Sequence, residues 1–363
     1  MPISRIEIEN FKSIKKLDLP LNNINILIGA NGAGKSNFIQ FFNLLNKLVQ
    51  QGLQSYVVAN GGADNFLHFG RKNSEYLAGN IVSNIDSYQF KLTPTINNKF
   101  FFTSEISKHL IKENDSIISN ELKTAHEESI WHIFLKEDDV PDNIKYLFDT
   151  ISKLKIYHFN DTSETSKIKV AADINNNRYL YPGGGNIAAF LYLLKQKHPD
   201  YLTRIENTIK LIAPYFGSFI LEPLSLNPEM IKLEWRHVGS DDYFDATHFS
   251  DGTLRMICLI TLLLQPEMPD TIIIDEPELG LHPSAIELVA ALIKSVAASG
   301  KQVICSTQSV TLLNHFQPED IIVVDRSNGE SLFSRPDKER LTEWLDAYSI
   351  GELWEKNILG GRP

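Results

Sequence analysis

Gly29-Ala30-Asn31-Gly32-Ala33-Gly34-Lys35-Ser36 fits the pattern G-x-x-x-x-G-K-[ST]. The apolar run Ile24 to Ile28 precedes it and predicts a buried strand. A stretch with Phe38, Phe41, Phe42, Leu45 and Leu48 at helical spacing follows and predicts a helix to about Leu48. Strand, glycine loop and helix form the context in which such a loop holds phosphate. The glycines let backbone N–H groups turn inward around phosphate oxygens, and the helix N-terminus adds positive potential. Lys35 is then expected to reach the β- and γ-phosphates of a nucleotide, and the Ser36 hydroxyl to bind Mg²⁺.

The chain has 363 residues, 43% of them hydrophobic and 22% charged, the composition of a soluble globular protein of one large or two ordinary domains. Its net charge is −10, without a basic tail or Lys/Arg block, so DNA contact would need a local patch. The start reads as a strand and not as a signal peptide. The longest apolar run, Met256 to Leu264, is too short to span a bilayer. The two cysteines, Cys258 and Cys305, lie inside apolar elements and read as core thiols of a cytoplasmic protein.

Along the chain, Ile3 to Phe11 and Ile14 to Leu19 predict short strands. Residues 51 to 70 predict loop with short helical pieces, and Arg71 just beyond them reads as a solvated loop arginine or, less simply, as a nucleotide or DNA contact. Ile81 to Thr93 and Lys99 to Ser104 alternate as antiparallel strands, and Glu105 to Glu128 reads as polar and helix-like. Lys153 to Phe159 predicts a strand. Helices are expected over Asn186 to Leu194 and Tyr201 to Ile212, and strands over Phe219 to Leu226 and Met230 to Trp235. A strongly apolar helix runs to about Leu264, a helix begins at Pro283, and Gln302 to Ser306 and Ile321 to Val324 predict core strands. The tail is expected to be helical through Ser349 and then irregular.

Thr271 to Asp275 is an apolar strand ending in Asp275-Glu276, the Walker B arrangement. Two adjacent carboxylates there are costly without a cation nearby. Asp275 is expected to hold Mg²⁺ and Glu276 to polarise the attacking water. Ser250-Asp251-Gly252, 25 residues before Asp275, offers a hydroxyl and a backbone N–H at a helix start, an anion cradle similar to the ABC-type signature Leu-Ser-Gly-Gly-Gln.

Taken with Asn10-Phe11-Lys12-Ser13-Ile14, IIIDEPELGLHP and STQS, these motifs resemble the RecF/OLD/SMC-related ABC-type ATPases, AAA-family ATPases with an ABC-like head. The resemblance implies an α/β fold: a P-loop NTPase ABC-type head with a mixed central sheet, an antiparallel β subdomain and a helical signature lobe. It divides the chain into residues 1–160 (ATPase lobe I with Walker A, antiparallel strands and a helical insert over 105–150), 161–265 (helical lobe with the signature) and 266–363 (Walker B, D-loop, switch and tail). It implies that Asn31, Gly32, Ala33, Gly34, Lys35 and Ser36 bind ATP, that Ser36 and Asp275 serve Mg²⁺, and that Glu276 is catalytic. Ser250 and Gly252 would contact the γ-phosphate held by a second copy, making a homodimer around two ATP molecules, with Glu278, Leu279 and Gly280 in the D-loop. Lys12 falls where the family's early loop approaches nucleotide.

Two departures stand out. The family's switch histidine falls at Gln308, whose amide can hydrogen-bond but cannot become cationic, so slow hydrolysis or a nucleotide-state switch is expected. No Q-loop glutamine is evident; His158, Asn160 and Asp161 lie in its place. OLD-like proteins carry a Toprim nuclease domain after the ATPase, whereas here about 55 residues follow STQS, so a partner nuclease or toxin effector is expected, in DNA repair or anti-phage defence. The competing expectation is a nucleotide-switched scaffold that sequesters or releases a toxic protein. A membrane transporter subunit fits less well.

Overall fold

The structure is a computed structural model and describes residues 2–111, 116–122, 124–136 and 140–361. Its centre is a six-stranded mixed sheet in the order Glu330–Ser334, Ile321–Ser327, Ile24–Ile28, Gln302–Ser306, Thr271–Asp275 and Ile156–Tyr157. All neighbours pair in parallel except the hairpin Ile321–Ser327 with Glu330–Ser334. The inner strands read as unbroken apolar runs because both sheet faces are covered. Alternate residues go to opposite cores: Leu27, Ile273, Ile304 and Ile322 to one, Ile26, Ile28, Ile272 and Val303 to the other.

The first core holds the helix Lys35–Val49, which lies between the central sheet and an antiparallel sheet ordered Ile14–Pro20, Arg5–Phe11, Leu77–Ser83, Asp86–Pro94, Phe100–Ile111 and Ser116–Leu122. Phe38, Phe41, Phe42, Leu45 and Leu48 are fully buried. The Phe41 ring packs on Phe11 (5.3 Å) and Phe90 (6.2 Å) of the antiparallel sheet, and the Phe38 ring on Phe333 (5.4 Å) of the central sheet, so this helix is fixed on two sides. The second core, on the far face, gathers the helices Ile187–Lys197, Pro199–Ile212, Asp251–Leu264 and Pro283–Ala298 with two small three-stranded sheets. Among the described residues no helix is long and apolar enough to cross a membrane.

Two expectations are corrected. The stretch 105–122, expected to be helix-like, instead supplies the strands Phe100–Ile111 and Ser116–Leu122, paired in register Glu105↔Leu122 to Ile111↔Ser116. The inward positions of the first strand carry Glu105 and Ser107, both fully buried, so the apolar alternation that marks a strand is hidden. Glu105 is satisfied there by Tyr88 Oη (2.6 Å) and the Ile130 N–H (3.2 Å). Helix within 105–150 is confined, among the described residues, to Trp131–Phe134 and Asp142–Ser152. The tail is not irregular after Ser349: Ser349 caps a new helix, Ile350–Glu355, in a reciprocal box with Glu352.

Smaller differences concern boundaries. The run Ile81 to Thr93 is two strands joined by a turn at Asn84, whose φ is +56°. The run at 153–159 contributes only Ile156–Tyr157, at the sheet edge.

Candidate functional site

The glycine loop leaves the central strand at Ile28 and enters its helix at Lys35. Gly29, Gly32 and Gly34 have φ of +154°, +77° and +125°, a backbone path closed to most side chains. Behind the loop there is no room either: a methyl on Gly29 would strike the Val324 carbonyl, and one on Gly34 the Ser331 hydroxyl. Ser331 is buried and donates to Ala33 O, so the hairpin 321–334 braces the loop from the rear. The helix N-terminus has no side-chain cap and no acidic residue in its first turn. Its open N–H groups therefore remain available to an anion.

Lys35 is 6% exposed, and its ammonium donates to the carbonyls of Gly29 and Ala30, the latter at 3.2 Å. Burial lowers its pKa, partly offset by the fields of Glu276, Asp275 and Glu278. It is thus a cation held by dipoles, with the carboxylates nearby but not paired to it. Ser36 is exposed at the mouth of a cavity of about 220 Å³. Asn31, Gly32, Gly34, Lys35, Ser36, Asp275, Glu276, Ser306, Gln308 and Arg326 line this cavity.

Asp275 and Glu276 reach it because the strand Thr271–Asp275 lies one strand away from the loop's own, with Gln302–Ser306 between. Asp275 accepts from Ser306 Oγ, and His158 Nδ1 lies 3.8 Å from its other oxygen. A carboxylate and a hydroxyl facing one cavity are hard oxygen donors, the set Mg²⁺ takes together with substrate phosphate and water. Glu276 sits at φ +49°, strained for a side-chain residue, and is held by its N–H to Ser306 O (3.0 Å). Gln308 Nε2 donates to Glu276 Oε1 at 2.6 Å. The Gln308 N–H (2.9 Å) and the Thr307 hydroxyl (2.7 Å) donate to Glu278 Oε1. Glu278 Oε2 is buried without a hydrogen-bond partner, and that desolvation raises the pKa of the carboxyl. Glu278 therefore underpins the segment Thr307-Gln308.

The other expected site residues lie elsewhere. Ala33 is buried and does not line the cavity; its N–H donates to Ala30 O (3.1 Å) and its carbonyl accepts from Ser331 behind the loop. Lys12, at φ +50°, turns its ammonium onto Gln40 and across the Phe66 ring (5.5 Å), and does not line the cavity. Ser250 is exposed and caps its own helix, accepting from the Thr253 N–H at 3.2 Å; it and Gly252 lie outside the cavity. Of the three Q-loop candidates, only His158 is near a carboxylate of the site. Arg71 is bound to Asp64 (2.7 Å), Asn98 (2.7 Å) and Thr95 O (3.1 Å), a bracing role in its loop. Arg326 was missed by sequence reasoning. It lines the cavity and donates to Gly32 O at 2.9 Å, but no local motif marks an exposed strand-end arginine.

A family model described as "AAA domain, putative AbiEii toxin, Type IV TA system" matches residues 24–314. The chain is 24% identical over 379 aligned positions to the Old nuclease of Escherichia phage P2. That alignment takes in 94% of this chain and 62% of the nuclease, so the chain spans less than two thirds of that relative's length. Over 101 residues it is 30% identical to the energy-coupling factor transporter ATP-binding protein EcfA2 of Staphylococcus aureus (strain MRSA252), covering 26% of this chain and 34% of that one. Among solved structures, an Smc head bound to the C-winged helix domain of ScpA superposes with a TM-score of 0.62 at 16% identity, over 94% of this chain and all of that one. An Smc head with an extended coiled coil, bound to the C-terminal domain of ScpA derived from Pyrococcus furiosus, gives 0.58 at 15%, over 95% and 98%. Likeness at such identity speaks for the fold, that of an ABC-type ATPase head.

Proposed function

We propose, given that the chain belongs to the AAA-domain family matched over residues 24–314, that two copies close head to tail around two ATP molecules and hydrolyse them. One observation carries this reading. The loop, Asp275 and Glu276 share one cavity, while Ser250 and Gly252 lie outside it and Ser250 is exposed. At about 220 Å³ the cavity is smaller than the roughly 300–1,000 Å³ of sites that enclose a drug-sized ligand. A nucleotide seated there would keep one side bare, and a second copy's signature would cover it.

Within the closed site, the loop N–H groups and Lys35 would bind the β- and γ-phosphates. Lys35 would exchange carbonyl partners for phosphate oxygens, which restores the charged form that burial disfavours. Ser36 and Asp275 would hold Mg²⁺, whose charge offsets that developing on the phosphoryl oxygens. Glu276 would orient the attacking water and take its proton, with its direction set by Ser306 O and Gln308. Ser250 would release its capping bond to Thr253 to meet the partner's γ-phosphate.

Glu276→Gln keeps the shape and removes the base, so ATP should trap a dimer. Light scattering at saturating ATP is expected to show twice the monomer mass for this variant and monomer without nucleotide; a monomer in both conditions would refute the composite site.

We further propose that the dimer works with a partner effector or nuclease in anti-phage defence or DNA repair. The alignment of 94% of this chain with the Old nuclease of phage P2 supports this. Pull-down with the Glu276→Gln chain in ATP should retain a nuclease or nucleic acid. A second reading, an ATP-switched scaffold that sequesters or releases a toxic protein, draws support from the Gln308–Glu276 hydrogen bond, which engages the base and favours slow turnover. It predicts a retained effector, without nucleic acid, whose activity follows the nucleotide state.

A further inference from the structure

Arg255 lies in the second turn of the signature helix Asp251–Leu264 and joins three stretches of chain. Its Nε donates to Phe159 O at 3.2 Å and its Nη2 to Asn160 O at 3.0 Å, where the edge strand leaves the central sheet. Nη2 also lies 3.4 Å from the Thr162 hydroxyl. Nη1 donates to Leu279 O at 3.0 Å, in the loop that follows the Walker B strand. The Leu279 N–H returns to Glu276 O at 3.3 Å.

Two glycines tighten this junction. Gly280 has φ +71°, and a methyl there would collide with Arg255 Nη1. A methyl on Gly252 would collide with Gly280 O. The first turn of the signature helix therefore touches the backbone of the loop that carries Glu276, with Arg255 beside the contact. Lys169 adds a second tie, from Thr162 O (2.6 Å) to Asp251 (3.4 Å). A guanidinium suits this place because its donors form a rigid fork, and three carbonyls pointing at one spot need such a fork. Leu279 and Gly280 are themselves exposed, as is Ser250.

We propose that Arg255 is a positioning residue that couples the two nucleotide sites of the dimer. When Ser250 and Gly252 of one chain engage the partner's triphosphate, the first helical turn shifts. Arg255 passes that shift to Leu279 and Gly280, and so to Glu276 of its own chain. Each site then hydrolyses in step with the other. The inference rests on the composite-site reading above; its physical basis is an unbroken line of backbone and hydrogen-bonded contacts between rigid elements.

The test uses Arg255→Gln and Arg255→Lys in the full chain, with dimerisation read separately in the Glu276→Gln background. Wild-type hydrolysis is expected to be cooperative in ATP, with a Hill coefficient above one. Arg255→Gln should still dimerise at the same ATP concentration, because Ser250 and Gly252 remain in place. Its kcat should fall about ten-fold with KM little changed, and its Hill coefficient should fall to one. Arg255→Lys, which reaches fewer carbonyls, should recover part of both. Gly280→Ala should reproduce the defect with Arg255 still present, which covers the case in which Arg255→Gln fails to fold.

A Hill coefficient of one in the wild type, or normal kcat and cooperativity in Arg255→Gln, would overturn the coupling. Loss of dimerisation together with kcat in both Arg255→Gln and Gly280→Ala would also overturn it, since the junction would then only support the helix. Failure of Glu276→Gln alone to dimerise is a separate result, and it defeats the composite site itself.

Discussion

At the scale of single residues, the site turns on Gln308. Its side-chain amide holds Glu276 Oε1 at 2.6 Å while its backbone N–H is held by Glu278. An amide can donate and accept, but it cannot carry the charge an imidazolium would bring to a γ-phosphate. Gln308→His is therefore expected to raise kcat about ten-fold, read by phosphate release at saturating ATP. An unchanged or lower rate would show that the amide already suffices. The motif predicted where Gln308 falls. It did not predict that Glu278, three residues beyond Asp275, would be the buried support for Thr307 and Gln308, because that bond joins positions about 30 residues apart across two strands.

At the scale of elements, the two misread segments failed for different reasons. In Phe100–Ile111 a buried carboxylate and a buried hydroxyl occupy inward positions; Tyr88, Ser129 and Ile130, brought by folding, satisfy the Glu105 carboxylate, while the Ser107 hydroxyl is buried without a hydrogen-bond partner. The tail helix was readable: Ser349 and Glu352 stand three apart, as a capping box requires. Ser349→Ala should cost about 1 kcal/mol of stability, measured as a lower urea midpoint with unchanged slope. The loss should be felt beyond the tail, since Gly351 donates to Asn314 and Trp354 is fully buried. A midpoint equal to wild type would show that packing alone holds this helix.

At the scale of the whole molecule, the arrangement separates what binds the triphosphate from what would close over it. Lys35 belongs to the core between the two large sheets, whereas Ser250 stands on the helices of the opposite core. If these are halves of different sites, two broken chains can repair each other. Lys35→Ala and Ser250→Arg should each be inactive alone. Mixed in equal amounts they should regain part of the ATP hydrolysis, at the slower uncoupled rate, because a hybrid dimer contains one intact Lys35 facing one intact Ser250 while its other site is broken. A mixture as inactive as its parts would count against the head-to-tail dimer.

The sequence by itself determined the order of strand, loop, helix and carboxylates. These rest on local rules: glycines where φ is positive, apolar runs where both sheet faces are covered, and acids at a strand end. It thereby pointed to a class of chemistry and to the residues proposed to carry it. Only the tertiary structure decided which of those residues meet. It sent Lys12 to Gln40, left Ser250 outside the cavity, and brought Arg326 to Gly32 across 294 positions. It also gathered three carbonyls around Arg255. The physical reason is that such contacts depend on strand order and on the packing of two separate cores, and neither of these has a short-range signal in the chain.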